Sequence, residues 1–100
     1  MLAILHPHID KIVILASSVK EAISLAEKLG AKTLVISGGA SNNSAFMYAG
    51  MVKEVIFDVE PILIGSGIPV FSDSDFKAKL KLITILKISK SLIQLRYKVL

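Results

Sequence analysis

The chain lacks cysteine and tryptophan entirely, and aromatic residues make up only 6% of it. The absence of cysteine excludes disulfide bonds, thiolate metal sites and a cysteine nucleophile. Long apolar runs are also missing. The apolar start, from Met1 to Leu5, has no basic segment before it and is soon interrupted by Asp10, so it is typical of neither a signal peptide nor a membrane span. We expect a cytoplasmic protein with no membrane partner.

Acidic residues are absent from residues 77–100, which hold seven Lys and Arg, whereas residues 1–76 hold five Lys and eight acidic residues. The basic residues alternate with apolar ones, as in Lys79-Leu80-Lys81-Leu82, which is typical of a strand with one wet and one buried face. A basic surface can also bind nucleic acid. Tyr97 is its only aromatic residue, however, so bases have little to stack on. We therefore interpret it as a solvated lysine face and expect no nucleic-acid partner.

Residues 1–100 have the composition of one small globular domain, with 53% hydrophobic residues and no repeat or linker. A β-branched apolar run from Lys11 to Ala16 predicts a buried strand. Ser18, with Glu21 three residues later, predicts a capping box at the start of a helix, and Gly30 predicts its end. A second strand is predicted from Thr33 to Ser37, parallel to the first because a helix connects them.

The second half of the chain is predicted to be a short helix, a strand and a hairpin. The helix spans about Ser44 to Ala49, before Gly50, and the strand runs from Glu54 to Glu60. Two final strands, from Leu80 to Ile88 and from Leu92 to Val99, form an antiparallel hairpin. The fold class is therefore α/β, with parallel strands and a C-terminal antiparallel hairpin.

Gly38 and Gly39, between the predicted second strand and the next helix, are the most informative residues. Glycines at this point let a ligand approach the backbone, and the N–H groups of the following helix turn favour a phosphate. The serines and asparagines of residues 41–44 add side-chain donors and caps. The segment matches neither a Walker loop nor a G-x-G-x-x-G fingerprint. Taken alone, a glycine pair before a helix is also compatible with a plain tight turn.

The surrounding residues resemble a known family. The segment from Val35 to Val55, followed by Glu60 to Phe71 with the pattern P-x-x-x-G-x-G-x-P-x-F, is similar to the reductase domain of riboflavin biosynthesis, the C-terminal domain of the bacterial-type riboflavin deaminase-reductase. The resemblance implies a dihydrofolate reductase-like three-layer fold, NADPH as cofactor and a ribosylamino-pyrimidine phosphate as substrate. In dihydrofolate reductases, the matching bond between two glycines is often cis, although such bonds are costly.

By this resemblance, the NADPH pyrophosphate lies against the glycine pair and the start of the next helix. The implied cofactor-binding residues are Gly38, Gly39, Ala40, Ser41, Asn42 and Ser44. Ser37 stands where the family usually has a glutamate that contacts the substrate, which weakens the substrate assignment more than the cofactor assignment. No catalytic residue can be assigned from the sequence.

The length is the larger departure, since members of the family are about twice as long and the missing part is N-terminal. We expect half of a reductase, completed by a partner chain or by a homo-oligomer, or else a non-catalytic remnant that oligomerises. The mean hydropathy of +0.67 also favours association. The missing part includes a strand that separates Thr33–Ser37 from Glu54–Glu60 in the family. We therefore predict that these two strands pair directly or that another chain fills the gap.

Two other groups of residues are weaker candidates. His6 and His8 offer two metal ligands without a third nearby, so we expect no metal site. Asp58 and Glu60 lie on one face of a predicted strand and have the chemistry of an acid and a base. They are better interpreted as a solvated face or as neighbours of the lysine-rich hairpin.

Overall fold

The computed structural model describes residues 2–5 and 13–100, with side chains from Ala16 onward. Its elements, in chain order, are β1 (Leu2–Leu5), β2 (Val13–Ala16), α1 (Val19–Lys28), α2 (Ala40–Tyr48), β3 (Glu54–Val59), β4 (Leu80–Lys87) and β5 (Ile93–Val99). The α/β class is confirmed. Within the described residues, no helix has the length and apolar character needed to span a membrane.

The strands form two antiparallel sheets, one of β1 and β2 and one in the order β3-β5-β4. The predicted parallel pairing is not confirmed, because each described ladder is antiparallel. The strand predicted from Lys11 to Ala16 forms as β2, but its partner is β1 and not the segment after α1. The three layers implied by the resemblance are not confirmed either.

Helix α1 begins as the sequence predicts. The Ser18 hydroxyl accepts a hydrogen bond from the Glu21 N–H at 3.1 Å. In a capping box, the Glu21 carboxylate would accept a bond from the N–H of Ser18. Here Glu21 Oε2 accepts instead from the hydroxyl and the N–H of Ser17, one residue earlier, at 2.6 and 3.2 Å. Those bonds lower the pKa of the exposed Glu21 carboxyl, and the hydroxyl of Ser17 is the largest cause. Gly30 follows the helix with a φ of +79°.

Residues Thr33–Ser37 form no strand in the structure, which contradicts the sequence prediction. The side chains of this segment still alternate between inside and outside, as the prediction assumed: Leu34 and Ile36 pack against the core, whereas Val35 is 80% exposed. A strand needs a hydrogen-bonded neighbour, and no described segment pairs with this one. The predicted direct pairing with β3 is therefore wrong. That another chain fills the gap stays a prediction.

The core is small and lies between the helices and β2. Its buried residues are Ala16, Ala22, Ala26 and Phe46, with Val19, Ile23, Leu25, Leu29, Leu34, Ile36 and Val52 packed against them. Phe46 belongs to α2, which begins at Ala40 and not at Ser44 as predicted. Ser44 is not a cap because it lies inside the helix, where its hydroxyl bonds to a distant loop.

The C-terminal hairpin is confirmed. Strands β4 and β5 pair along their length, and the Ile88 N–H donates to the Leu92 carbonyl at 2.9 Å across the turn. A β-bulge interrupts the pairing between Leu82 and Thr84, which leaves Ile83 as the extra residue in β4. Strand β3 joins the other side of β5, so β3 and β4 are the edges of this sheet.

Candidate functional site

The two glycines form the turn that leads into α2, and the peptide bond between them is cis. Gly38 has a φ of +121°, a value that other residues rarely adopt. Gly39 is the N-cap residue of α2 and has a φ of −70°, which any residue can adopt. A side chain at Gly39 would meet no atom within 4 Å. The backbone conformation therefore explains Gly38, whereas nothing within the described chain requires glycine at residue 39.

The first turn of α2 presents backbone donors without a side-chain cap. Gly39 makes no such cap, and the first backbone bond of the helix runs from the Asn43 N–H to the Gly39 carbonyl at 2.9 Å. Helix geometry leaves the N–H groups before that point without intrahelical acceptors. The sequence of α2 contains no acidic residue, so no carboxylate of the helix competes for this positive end.

The polar side chains next to the glycine turn differ in their exposure and in their hydrogen bonds. Ser41 is exposed, as is Ser37 on the other side of the turn. The Asn42 side chain donates to the Gly38 carbonyl at 3.3 Å and so holds the turn. Ser44 is 4% exposed, and its hydroxyl donates to the Ser72 carbonyl at 3.1 Å. Of the residues predicted from sequence, the glycines, Ala40 and Ser41 therefore offer the more open groups, while the side chains of Asn42 and Ser44 support the structure.

Asn43 has a role that the sequence prediction missed. Its side chain donates to the Val70 carbonyl at 2.8 Å, and the Ser72 N–H donates to the Ala40 carbonyl at 3.3 Å. With the Ser44 bond, these contacts hold the middle of the loop 60–79, at Val70 and Ser72, against the first turns of α2. No local pattern signals such a contact, because the partners are far apart in the sequence.

The part of that loop that follows β3 is exposed and apolar. Leu63, Ile64 and Ile68 are 103%, 75% and 92% exposed. Farther along, Phe71 and Phe76 meet edge to face with 5.0 Å between ring centroids. The loop is therefore anchored by its second half, next to α2, and its first half presents apolar side chains to its surroundings.

The acidic residues of β3 belong to the sheet and not to this turn. Asp58 accepts a hydrogen bond from the Gln94 side chain at 2.9 Å, and Glu54 Oε2 accepts two from the Arg96 guanidinium, at 3.0 and 2.5 Å. These cross-strand bonds support the interpretation of Asp58 as a neighbour of the hairpin. His6 and His8 lie outside the described residues.

A shallow cleft of about 380 Å³ lies near the other end of α2, and its lining includes Met47, Gly50, Val52, Phe76, Val99 and Leu100. It contains neither glycine of the turn, so it is a separate feature. The glycine turn and the uncapped start of α2 together leave backbone N–H groups of the first helical turn without intrahelical acceptors.

The chain is thus a small α/β domain in which a glycine turn leads from a segment packed on the core into a helix. Residues 5–94 match the family described as the RibD C-terminal domain. The chain belongs to that family, as its resemblance to the riboflavin-biosynthesis reductases predicted.

Two relatives show how much of a family member is present. The chain is 25% identical over 88 residues to the uncharacterized protein YyaP of Bacillus subtilis (strain 168), which covers 88% of this chain and 47% of that protein. A crystal structure of a protein from Shewanella sp. PV-4, provisionally named a riboflavin biosynthesis protein, superposes on this chain with a TM-score of 0.77. The two sequences are 23% identical, and the superposition covers 100% of this chain and 56% of the other. The second match shows a shared fold. The chain thus spans about half the length of these relatives.

Proposed function

We infer that this chain is the cofactor-side half of an NADPH-dependent reductase of the riboflavin-biosynthesis type, with a dihydrofolate reductase-like layered fold when complete. The substrate class is a ribosylamino-pyrimidine phosphate, as for a 5-amino-6-(5-phosphoribosylamino)uracil reductase. Membership of the RibD C-terminal domain family supports this proposal. The observation that carries it is Gly39, the N-cap residue of α2, which makes no side-chain cap and where a side chain would enter open space.

The residues of the turn fit the diphosphate of a dinucleotide. Gly39 lets the phosphate oxygens come close to the backbone, and the first N–H groups of α2, including those of Ala40 and Ser41, donate to them. The Ser41 hydroxyl is exposed and can add a further donor. Asn42 acts indirectly, because its side chain bonds to the Gly38 carbonyl and fixes the turn.

The remaining residues position the site. Ser44 and Asn43 donate to the backbone carbonyls of Ser72 and Val70, which holds this part of the loop beside the first turns of α2. Ser37 precedes the turn and is exposed, so we assign it to the substrate side. NADPH supplies the hydride when it is bound, and this chain contributes binding and orientation. A second copy or a partner chain completes the cleft.

A single substitution tests the cofactor site. We expect Gly39→Val to weaken NADPH binding at least tenfold, because the branched side chain occupies the space that the phosphate needs, whereas the fold tolerates it. Calorimetry measures the affinity, and circular dichroism checks the fold. Gly65→Val is the matched control, since a side chain there also meets no atom within 4 Å and Gly65 lies in the exposed loop.

Equal NADPH affinity in the parent and in Gly39→Val would exclude this site. If the valine variant does not fold, Gly39→Ala makes the same comparison with a smaller group. Loss of binding in Gly65→Val as well would show that the effect is not specific to the turn.

The second candidate function is a non-catalytic module of the same fold that acts by assembly. It is favoured by the apolar side chains that the C-terminal sheet leaves exposed, including Leu82 at 46% and Ile85 at 61%. An absence of NADPH binding by the parent chain, together with self-association, would support this function over the first.

A further inference from the structure

The shallow cleft near the end of α2, here called the α2-end cleft, is lined by three segments that are distant in the sequence. They are the end of α2 with its connection to β3, the segment before β4, and the end of β5. The volume of about 380 Å³ lies at the small end of the roughly 300–1,000 Å³ that ligand sites occupy. The lining residues are Met47, Gly50, Val52, Lys53, Phe76, Lys77, Ala78, Val99 and Leu100.

Backbone hydrogen bonds hold the walls of the α2-end cleft together. The Val99 N–H donates to the Lys53 carbonyl at 2.9 Å, and the Leu100 N–H donates to the Lys79 carbonyl at 2.9 Å. These bonds join the connection before β3 and the segment before β4 to the end of β5. The cleft therefore keeps its arrangement without a ligand, which lowers the entropy cost of binding one.

Apolar side chains make up most of the lining. Met47, Val52, Phe76 and Val99 are each partly buried. Val52 also packs against the core, and the Phe76 ring meets that of Phe71 edge to face. A ligand body that lies against such side chains gains free energy by leaving water, provided that the body is itself apolar.

The charge of the lining has one sign. Among its described residues, the only polar side chains are those of Lys53 and Lys77. Neither forms an ion pair within the described chain, where the salt bridge of Arg96 with Glu54 is the only one. The carboxylate nearest in the sequence, that of Glu54, is therefore already bound. Two ammonium groups beside an apolar lining favour an anion.

The end of α2 does not cancel this charge. The carbonyls of Phe46 and Met47 accept bonds from the N–H groups of Met51 and Gly50, at 3.2 and 3.0 Å. Two of the last carbonyls of the helix thus have partners. A helix end carries a partial charge of about −0.5, so the two lysines leave the cleft positive.

We propose that the α2-end cleft binds a small organic carboxylate with an apolar body. Lys53 and Lys77 bind the carboxylate group, and Met47, Val52 and Phe76 contact the body. Both parts are required, because an exposed ion pair alone contributes little to affinity. The cleft is separate from the glycine turn, so this proposal can hold or fail independently of the proposed function.

Three probes separate the contributions of charge and body. Hexanoate has both, acetate has the carboxylate alone, and hexanamide has the apolar chain without the charge. Titration of the isotope-labelled full chain, followed by the backbone amide signals in NMR spectra, measures affinity and location together. We expect hexanoate to bind with a dissociation constant on the order of 1 mM and to shift the signals of Lys53, Lys77 and Ala78. Acetate and hexanamide should bind at least about tenfold more weakly.

Two pairs of variants test the location. Lys77→Gln removes an ammonium group from the cleft, whereas Lys81→Gln removes one from β4, outside the lining. Ala78→Phe fills the cleft, and Ala45→Phe adds the same ring at an exposed position of α2 that does not line it. For hexanoate we expect the dissociation constant to rise about fivefold in Lys77→Gln and at least about tenfold in Ala78→Phe. Both controls should bind like the parent.

The proposal is overturned if the parent shows no shift at the cleft when hexanoate reaches about ten times the expected dissociation constant. Equal binding of hexanamide or acetate also overturns it. So does a Lys81→Gln variant that binds as weakly as Lys77→Gln, since the effect would then come from the general positive charge of the chain. If Ala78→Phe fails to fold, the comparison of the two lysine variants still decides.

Discussion

Individual side chains at the start of α1 illustrate how local bonds decide local structure. The hydroxyl of Ser18 caps the Glu21 N–H, and Glu21 in turn binds Ser17 through its carboxylate. A cap of this kind contributes about 1 kcal/mol to helix stability. Because the bonds to Ser17 favour the ionised carboxylate, they lower the pKa of Glu21 in the folded chain.

A lowered pKa in the folded chain has a definite consequence for stability. The contribution of the Glu21 carboxylate is present at neutral pH and is lost as the pH falls through the lowered pKa, because the unfolded chain binds the proton more readily. We expect Glu21→Gln to remove this part of the acid dependence. Urea unfolding between about pH 3 and about pH 7 measures it.

The control for this prediction is Glu27→Gln, the same substitution in the last turn of α1, which leaves the contacts of Ser17 unchanged. We expect Glu27→Gln to keep the component of the acid dependence that Glu21→Gln loses. Identical pH profiles for Glu21→Gln and the parent would mean that the carboxylate does not stabilise the helix start.

At the scale of elements, the position of α2 depends on a loop that is distant in sequence. Its start at Ala40 lacks a side-chain cap, yet Asn43 and Ser44 tie its first turns to the backbone of Val70 and Ser72. The helix and the Val70–Ser72 part of the loop are therefore expected to move together. This coupling matters for the site, because the glycine turn is continuous with the helix.

Substitution of the buried serine tests that coupling. We expect Ser44→Ala to lower the free energy of unfolding by about 1–2 kcal/mol, because the Ser72 carbonyl loses its donor in a partly buried position. Limited proteolysis should cut the loop 60–79 faster in this variant. Ser41→Ala, an exposed serine of the same helix, is the control. Equal stability and equal cleavage in the two variants would show that the tie does not hold the loop.

At the scale of the whole molecule, the chain matches only part of its relatives. It spans about half the length of the relatives that it matches, 47% of one and 56% of the other. The described residues around the glycine turn supply backbone donors, hydroxyls and an apolar loop, and we assign none of them a catalytic role. Hydride transfer requires nicotinamide and acceptor in a precise geometry, and a displacement of about 1 Å costs on the order of a hundredfold in rate.

We therefore predict that the 100-residue chain by itself does not reduce a substrate. The assay combines the purified chain, NADPH and the ribosylamino-pyrimidine phosphate, and follows the loss of cofactor absorbance. A preparation supplemented with the first half of a longer family member is the comparison. Sustained turnover by the chain alone would show that a homo-oligomer builds the complete site from these residues, and would contradict the prediction.

The family and the C-terminal hairpin were both predictable from the sequence, because the signals are local. The glycine pair with its following loop pattern indicated the RibD C-terminal domain family, and the alternation of residues 80–99 indicated the two strands. The face that the alternation predicted to be buried is not, since every residue of β4 is exposed. Ser18 and Gly30 mark the ends of α1 through bonds and dihedral angles that involve only a few neighbouring residues. The use of Gly39 by a ligand stays a prediction.

Other features were decided only by the tertiary structure, since they depend on which segments meet. Thr33–Ser37 has the alternation of a strand but finds no described neighbour to bond with, so it forms none. Ser44 looked like a helix cap, yet it lies inside α2, and its hydroxyl donates to the Ser72 carbonyl far along the chain. Residue types determine which bonds a segment can make. Strand pairing and buried contacts also require a partner at the right distance, and only the folded chain brings that partner into place.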